Sequence, residues 1–110
     1  MTHSEKITTS RNNGAITISG GGELDLRSAD EFKAALKEAT DTESPVVVDF
    51  TSTTYIDTAI LAALVVAART TMQGSRRIRV LVAEGSHPQY VIKTMGLAGL
   101  MDIEVGSSPT

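Results

Sequence analysis

Few side chains in this sequence could carry out covalent chemistry, and those that could are hydroxyls and carboxylates. The chain has no cysteine, which excludes disulfides, thiolate metal sites and cysteine nucleophiles. Its two histidines, His3 and His87, are far apart in the sequence, so we expect no histidine-based metal site. No serine lies in a G-x-S-x-G segment, and no hydroxyl has a neighbouring base that would activate it. We therefore expect a protein that is not an enzyme and that needs no cofactor.

The most informative pair is Asp57 followed by Thr58, where a hydroxyl-rich segment meets a helical pattern. Aspartate is a preferred helix N-cap, because its carboxylate accepts hydrogen bonds from the free N–H groups of the first turn. Thr58 would then be the first helical residue, with its hydroxyl in solvent. The helix dipole would stabilise a phosphate at that position. Two interpretations stay open at this point, a plain helix start and a phosphorylation site.

Two other segments suggest phosphate chemistry but lack its full pattern. The glycines at 20–22 have neither the P-loop nor the dinucleotide-binding spacing, so we interpret them as a bulge or a close approach of the backbone. Asp49 ends an apolar strand, as the phospho-accepting aspartate of receiver domains does. No acidic pair that could hold Mg²⁺ follows Ile7 or Ile18, the apolar residues of the first two strands. We therefore expect Asp49 to accept hydrogen bonds from nearby amides.

Length and composition are those of one soluble domain over residues 1–110, with an ordered core at about 5–105. A net charge of −3 and an aromatic content of 4% argue against nucleic-acid binding, which needs basic patches and stacking side chains. The longest apolar run, 59–68, is far shorter than the ~20 residues of a membrane span. Residues 1–13 lack the apolar centre of a secretory signal. We expect a cytoplasmic protein without a nucleic-acid or membrane partner.

Hydrophobic periodicity predicts the element order β-β-α-β-α-β-α-β. Strands that alternate with helices favour a parallel sheet with right-handed crossovers, and the Asn13-Gly14 pair favours a tight hairpin between the first two strands. The predicted fold class is α/β, a mixed, mostly parallel sheet with an antiparallel N-terminal edge hairpin and helices packed on it. The strands are predicted at about 5–10, 15–19, 45–50, 76–83 and 103–105, and the helices at about 28–39, 57–73 and 89–95.

Local signals set the helix boundaries in this prediction. Ser28 and Glu31 form a capping box, which places the start of the first helix at Ser28. Gly74 is the expected left-handed residue that ends the second helix, and Pro88 suits the first turn of the third. The run at 46–48 lacks alternation, which predicts burial on both faces. The second helix should bury one face, made of Ile60, Leu61, Leu64, Val65, Ala68 and Met72.

Loops that follow parallel strands lie at the same edge of a sheet, where binding sites tend to form. Three predicted loops fall there, at 20–27, 51–58 and 84–88. We expect them to bring a group of polar side chains to one rim, namely Asp25, Asp57, Thr58 and Glu84.

Three landmarks in order resemble the signature of STAS domains, the family of bacterial anti-sigma factor antagonists. The first is segment 22–32, in which G-E-L-D leads into the first helix. The second is segment 46–61, in which an apolar strand and a loop lead to the Asp-Thr pair and a helix. The third is the Gly-Leu pair at 96–97, after the third helix. The resemblance spans about 7–105 and implies the STAS fold.

The resemblance also implies a function and a partner. Such a domain binds a histidine-kinase-like ATPase, a serine/threonine kinase that acts as an anti-sigma factor, and so frees a sigma factor. The kinase then phosphorylates Thr58 and ends the capture, which a phosphatase would restore. The implied partner-binding residues are Asp25, Asp57, Thr58, Ala59, Ile60 and Glu84.

Ala59 and Ile60 depart from the family pattern. The family usually has a small or hydroxyl residue at the first of these positions and a glycine at the second, so the bulky Ile60 is the larger change. We expect it to alter how closely a partner approaches. The departure keeps a second hypothesis open, a constitutive STAS scaffold such as a stressosome-like subunit or the accessory subunit of a lipid-transport ATPase. The third and least favoured hypothesis is an enzyme or a phosphotransfer receiver.

Overall fold

Strands and helices alternate along residues 6–106, the part of the chain that the computed structural model describes. The polar tail that carries His3, the predicted strand start at Glu5 and the C-terminal residues after Gly106, which we expected to fray, lie outside it. The element order matches the prediction, with one 3₁₀ turn added at Leu97–Gly99. The elements are β1 (Ile7–Asn12), β2 (Ala15–Leu24), α1 (Leu26–Thr40), β3 (Val46–Ile56), α2 (Thr58–Gln73), β4 (Arg79–Ala83), α3 (His87–Thr94) and β5 (Asp102–Gly106).

The sheet has the strand order β1-β2-β3-β4-β5 and is parallel except at one edge. There β1 runs antiparallel to β2, and Asn13 and Gly14 turn the chain with φ angles of 54° and 82°. Two successive positive φ angles are typical of a type I′ turn, whose twist matches that of the flanking strands. The predicted fold class and its edge hairpin are confirmed.

The helices cover one face of the sheet. Every parallel crossover steps to the next strand in the same direction, so right-handed connections place all the helices on one side. Side chains on that side are buried, whereas alternating ones such as Ser19, Asp49 and Leu81 are partly exposed. Residues 46–48 are buried on both faces as predicted, since Val47 on the open side is only 8% exposed.

The core lies between this sheet and the helices. Phe32 of α1 and Phe50 of β3 meet there with ring centroids 5.9 Å apart, and Leu64 of α2 is fully buried. Of the face predicted for α2, Ile60, Leu61, Leu64 and Ala68 are buried, Val65 is only partly buried, and Met72 is 39% exposed. Thr71 is buried instead, because the seven residues that separate it from Leu64 make nearly two full turns.

The first helix begins earlier than predicted. Asp25 is its N-cap, and the carboxylate accepts a hydrogen bond from the Arg27 N–H at 3.0 Å. Ser28 lies inside the first turn and is buried, so the predicted capping box with Glu31 is wrong. Strand pairing decides the boundary, because β2 stays paired with β3 through Leu24 and the chain turns at the next residue.

Both central strands are longer than predicted. The hydroxyl-rich segment 51–55, predicted as a loop, belongs to β3 and pairs with the end of β2. Its threonines suit an extended backbone, because β-branched side chains pack well on a pleated sheet. Each of the two predicted loops is thereby reduced to one connecting residue, Asp25 after β2 and Asp57 after β3.

The glycines of β2 are structural, as predicted. The pairing of β2 with β3 shifts register twice within residues 19–23, which marks bulges. Gly20 is buried, and a Cβ added there would lie 2.6 Å from Leu24 Cδ1. A larger residue at position 20 would therefore force the buried Leu24 side chain to move.

Several boundaries near the end of the chain also differ. Gly74 ends α2 but has φ −94°, so the predicted left-handed conformation is wrong there and belongs to Ser75, with φ 64°. β4 begins at Arg79, three residues later than predicted. Arg76 precedes the strand, and its guanidinium donates hydrogen bonds to the Thr40 and Ser44 carbonyls at the connection between α1 and β3. α3 begins at His87, two residues early, with its proline in the first turn as predicted. No helix within 6–106 is long and apolar enough to span a membrane.

Candidate functional site

The carboxyl ends of β2 and β3 meet at one edge of the sheet and turn directly into helices. Leu24 pairs with Ile56, and the Asp57 N–H donates a hydrogen bond to the Leu24 carbonyl at 2.9 Å. Asp25 and Asp57 follow these strand ends and cap α1 and α2. Two helix N-termini and two capping carboxylates therefore lie side by side.

Asp57 and Thr58 form a helix start with an exposed hydroxyl. Asp57 Oδ1 accepts hydrogen bonds from the Ala59 N–H at 3.0 Å and from the Thr58 hydroxyl at 3.3 Å. Thr58 is the first residue of α2 and is exposed. Because a helix N-terminus is electropositive, α2 would stabilise an anion bound to this oxygen. The prediction that Asp57 caps the helix is confirmed.

Asp25 is held as a carboxylate by its neighbour. Arg27 Nη2 and Nε donate to Asp25 Oδ2 at 2.9 and 3.3 Å, and the Arg27 backbone N–H donates to Oδ1. The Arg27 side-chain hydrogen bonds lower the pKa of Asp25 below its ordinary value, with a smaller contribution from the charge of Lys6. The cap of α1 is therefore an ionised carboxylate that is paired with Arg27.

The lowered pKa of Asp25 predicts an acid-sensitive cap. The ionised Asp25 carboxylate contributes its full stabilisation at pH values above the pKa of an unfolded aspartate. This stabilisation is lost as the pH falls through the pKa that Asp25 has in the folded protein. A carboxyl NMR titration should give Asp25 a midpoint below ~3.9, the value of an unperturbed aspartate. Arg27→Ala should raise that midpoint, whereas Arg69→Ala, at an exposed arginine of α2, should leave it unchanged. An unshifted midpoint in the wild type would contradict the assignment.

An open apolar groove runs between α1 and α2 from their N-terminal ends. Its volume is about 550 Å³. Leu26, the first residue of α1, is 69% exposed, and Val66 of α2 is 63% exposed. Both line the groove, so solvent reaches the apolar side chains of its walls. The charged groups of the lining come only from α1 and the residue after it, whereas α2 contributes alanine, valine and threonine. The groove therefore offers an apolar strip that continues from the two helix starts.

The start of α3 also contacts this edge. His87 Nδ1 accepts a hydrogen bond from the Ile56 N–H at 3.1 Å, and its ring stacks on Tyr55 with centroids 4.6 Å apart. The sequence pattern predicts no role for His87. No local pattern could have revealed the contact, because 31 residues separate the donor from the acceptor.

Comparison with known proteins assigns the family. Residues 7–104 match the family model described as Mlab, STAS domain. The chain belongs to the STAS domain family. A comparison with curated proteins found no significant match.

Solved structures share the fold of this STAS domain. SpoIIAA in its unphosphorylated form aligns with a TM-score of 0.69 at 12% identity, covering 92% of this chain and 89% of that one. The phosphorylated form of Bacillus SpoIIAA gives 0.67 at 16% identity, covering 89% and 90%. An anti-sigma factor antagonist from Mycobacterium paratuberculosis gives 0.77 at 16% identity, covering 88% and 82%. The predicted STAS fold is confirmed.

The STAS domain does not expose every side chain that we expected a partner to contact. Ile60 is fully buried in the core, so the expected effect of its bulk on a partner's approach is wrong. Ile60 follows Thr58 by two residues, or about 200° around the helix, so the two side chains point in nearly opposite directions. Ala59 is partly buried in the groove wall.

Glu84 is exposed but lies away from the other candidate residues. β4 pairs with β3 up to Val82 opposite Phe50, whereas β3 continues to Ile56. By that register Glu84 is level with Ser52, about 13 Å short of Ile56 at ~3.3 Å per residue. The structure thus brings Asp25, Asp57 and Thr58 together, and from the far side of β4 it is His87, the first residue of α3, that contacts the end of β3 at Tyr55 and Ile56.

Asp49 lies within β3 on the open face of the STAS sheet. Its Oδ1 accepts hydrogen bonds from the Thr51 N–H at 2.8 Å and the Thr51 hydroxyl at 2.6 Å. This confirms the expectation that it accepts hydrogen bonds locally. Residues 6–106 contain no cluster of histidine, aspartate and glutamate side chains that could hold a metal ion.

Proposed function

We propose that this STAS domain is an anti-sigma factor antagonist that captures a histidine-kinase-like ATPase anti-sigma factor and so frees a sigma factor. The captured protein would be a serine/threonine kinase, and phosphorylation of Thr58 would end the capture. The observation that carries the proposal is the exposed Thr58 hydroxyl on the first residue of α2, beside the Asp57 carboxylate. The STAS domain binds and is modified, and the catalysis belongs to the kinase.

A phosphate on Thr58 would change the partner surface and leave the fold intact. It adds about −1.5 to −2 charges at a helix N-terminus, where anions are favoured. Asp57 is the neighbouring carboxylate, whereas Asp25 is paired with Arg27. A phosphate on Thr58 would add charge beside Asp57 and would repel a partner surface that holds carboxylates or ATP. Such a switch operates in the cytoplasm, and a phosphatase would return Thr58 to its free hydroxyl.

The proposed docking surface joins the helix starts to the groove. Asp25, Asp57 and Thr58 supply charge and hydrogen-bonding groups, while Leu26 and Val66 supply exposed apolar area. Buried apolar contacts give an interface its affinity, and charges around them steer association. A kinase docked here would have its own active site close to the hydroxyl that it modifies.

Capture from a host lysate tests the function. Immobilised wild-type protein should retain a kinase of the ATPase class, release it after ATP is added, and then carry phosphate on Thr58 by mass spectrometry. Thr58→Ala should retain the kinase after ATP. Recovery of a transporter ATPase, or phosphate at any site other than Thr58, would reject the proposal.

Removing the charge of Asp25 should slow association. Asp25→Asn keeps a side-chain acceptor for the α1 cap but loses the negative charge. The proposed docking surface places a basic patch of the kinase opposite Asp25, apart from the carboxylates or ATP opposite Thr58. We therefore expect association with the kinase to slow about threefold to tenfold at low salt, and the difference to vanish at high salt, where charges are screened. Glu43→Gln, an equal charge change at the opposite end of the sheet, is the control for stopped-flow measurements. Equal association rates for Asp25→Asn and wild type at low salt would mean that the partner interface does not include Asp25.

The second candidate function is a constitutive scaffold subunit. One observation favours it, the open apolar groove between α1 and α2. A partner held mainly in the groove would remain bound whether or not Thr58 is modified. Val66→Lys would then weaken capture, while Thr58→Glu would leave it unchanged.

A further inference from the structure

The end of β3 is held on both of its sides. On the β2 side, the Asp57 N–H donates to the Leu24 carbonyl at 2.9 Å. On the β4 side, the strand pairing stops at Phe50, so no strand is available to accept from the Ile56 N–H. His87 Nδ1 takes that place at 3.1 Å.

The Ile56 N–H needs this acceptor because water cannot replace it easily. Ile56 is 3% exposed, and buried backbone donors in folded proteins are nearly always paired. The His87 ring is fixed in turn by its stacking on Tyr55, with 22° between the ring planes. The hydrogen bond uses the lone pair of Nδ1, so it is made by the imidazole tautomer that carries its proton on Nε2.

We propose that His87 is a positioning residue for the Thr58 site. We call the hydrogen bond from the Ile56 N–H to His87 Nδ1 the clamp. Only Asp57 separates Ile56 from α2, so the direction in which α2 starts depends directly on where Ile56 is held. His87 thereby sets the orientation in which Asp57 and Thr58 face a partner. The consequence for phosphorylation rests on the proposed function, whereas the clamp itself is a property of the isolated protein.

Two substitutions distinguish the role of Nδ1 as a hydrogen-bond acceptor from the role of the ring that stacks on Tyr55. His87→Asn puts Oδ1 at the position of Nδ1, so it keeps the acceptor and loses the stacked ring. His87→Phe keeps a ring against Tyr55 and loses the acceptor. Tyr90→Ala, at an exposed residue of the same helix, controls for any change in α3. Denaturant unfolding of all these variants shows whether each is folded before it is compared.

The first measurement is amide hydrogen exchange of the isolated protein by NMR. We expect the Ile56 amide to exchange about tenfold faster in His87→Phe and at nearly the wild-type rate in His87→Asn, because one hydrogen bond is lost or kept. The amide of Val48, deep in the same strand, reports global unfolding and serves as the reference. Equal exchange of Ile56 in His87→Phe and wild type would overturn the clamp.

The second measurement is the rate at which the captured kinase phosphorylates Thr58. We expect His87→Phe to be about tenfold slower and His87→Asn to be close to wild type, so that the acceptor alone rescues the site. Equal rates in both variants would overturn the positioning role. If the exchange pattern holds but wild-type Thr58 is never phosphorylated, the clamp stands and the proposed function fails.

Discussion

Thr58→Glu is expected to bind the kinase partner at least about 100-fold more weakly than the wild type, while its fold is unchanged. A carboxylate at this position would face the carboxylates or ATP that we propose on the kinase opposite Thr58, and like charges brought together at an interface cost several kcal/mol. The fold tolerates the change, because Thr58 is exposed and a helix N-terminus favours negative charge. We expect the unfolding free energy to stay within about 0.5 kcal/mol of wild type.

Two variants make the Thr58→Glu result specific. Thr8→Glu adds the same charge at an exposed threonine of the edge strand β1 and should bind normally. Thr58→Ala should bind at least as well as wild type and resist release by ATP. Isothermal titration calorimetry with the purified kinase measures all of them. Wild-type affinity for Thr58→Glu would reject the switch and favour the constitutive scaffold.

Leu64→Ala should destabilise the protein by about 2–5 kcal/mol. Leu64 is fully buried at the middle of the face of α2 that meets the sheet. Truncation removes apolar contacts and leaves a cavity that the surrounding strands cannot close. In a domain that has roughly 5–15 kcal/mol of stability in total, the loss should be visible as a large shift of the urea midpoint.

Val66→Ala is the matched control for Leu64→Ala. Val66 lies on the same helix but is 63% exposed, so the loss of its methyl groups should change stability by no more than about 0.5 kcal/mol. The two variants together test which face of α2 is buried. A loss at Leu64 no larger than at Val66 would mean that the helix is rotated from the orientation described.

The candidate site was only partly predictable from its own residues. Asp57 was recognised as a helix cap because an N-cap is a local feature. The predicted topology puts Asp25 at the sheet edge, but the local pattern favours Ser28 as the cap of α1, a role that belongs to Asp25 in the structure. Ile60 was assigned to the partner surface from a family position, although the helical period puts it on the buried face with Leu64.

Local signals are enough to predict the element order, the hairpin at Asn13-Gly14 and the cap at Asp57, since periodicity, turn chemistry and capping act over a few residues. The ends of β2 and β3 depend on tertiary contacts, because their last residues are held by pairing with each other. The tertiary structure alone produces the groove between α1 and α2 and the contact of His87 with Ile56. Such features join residues distant in sequence, and the packing of the whole sheet and its helices selects them.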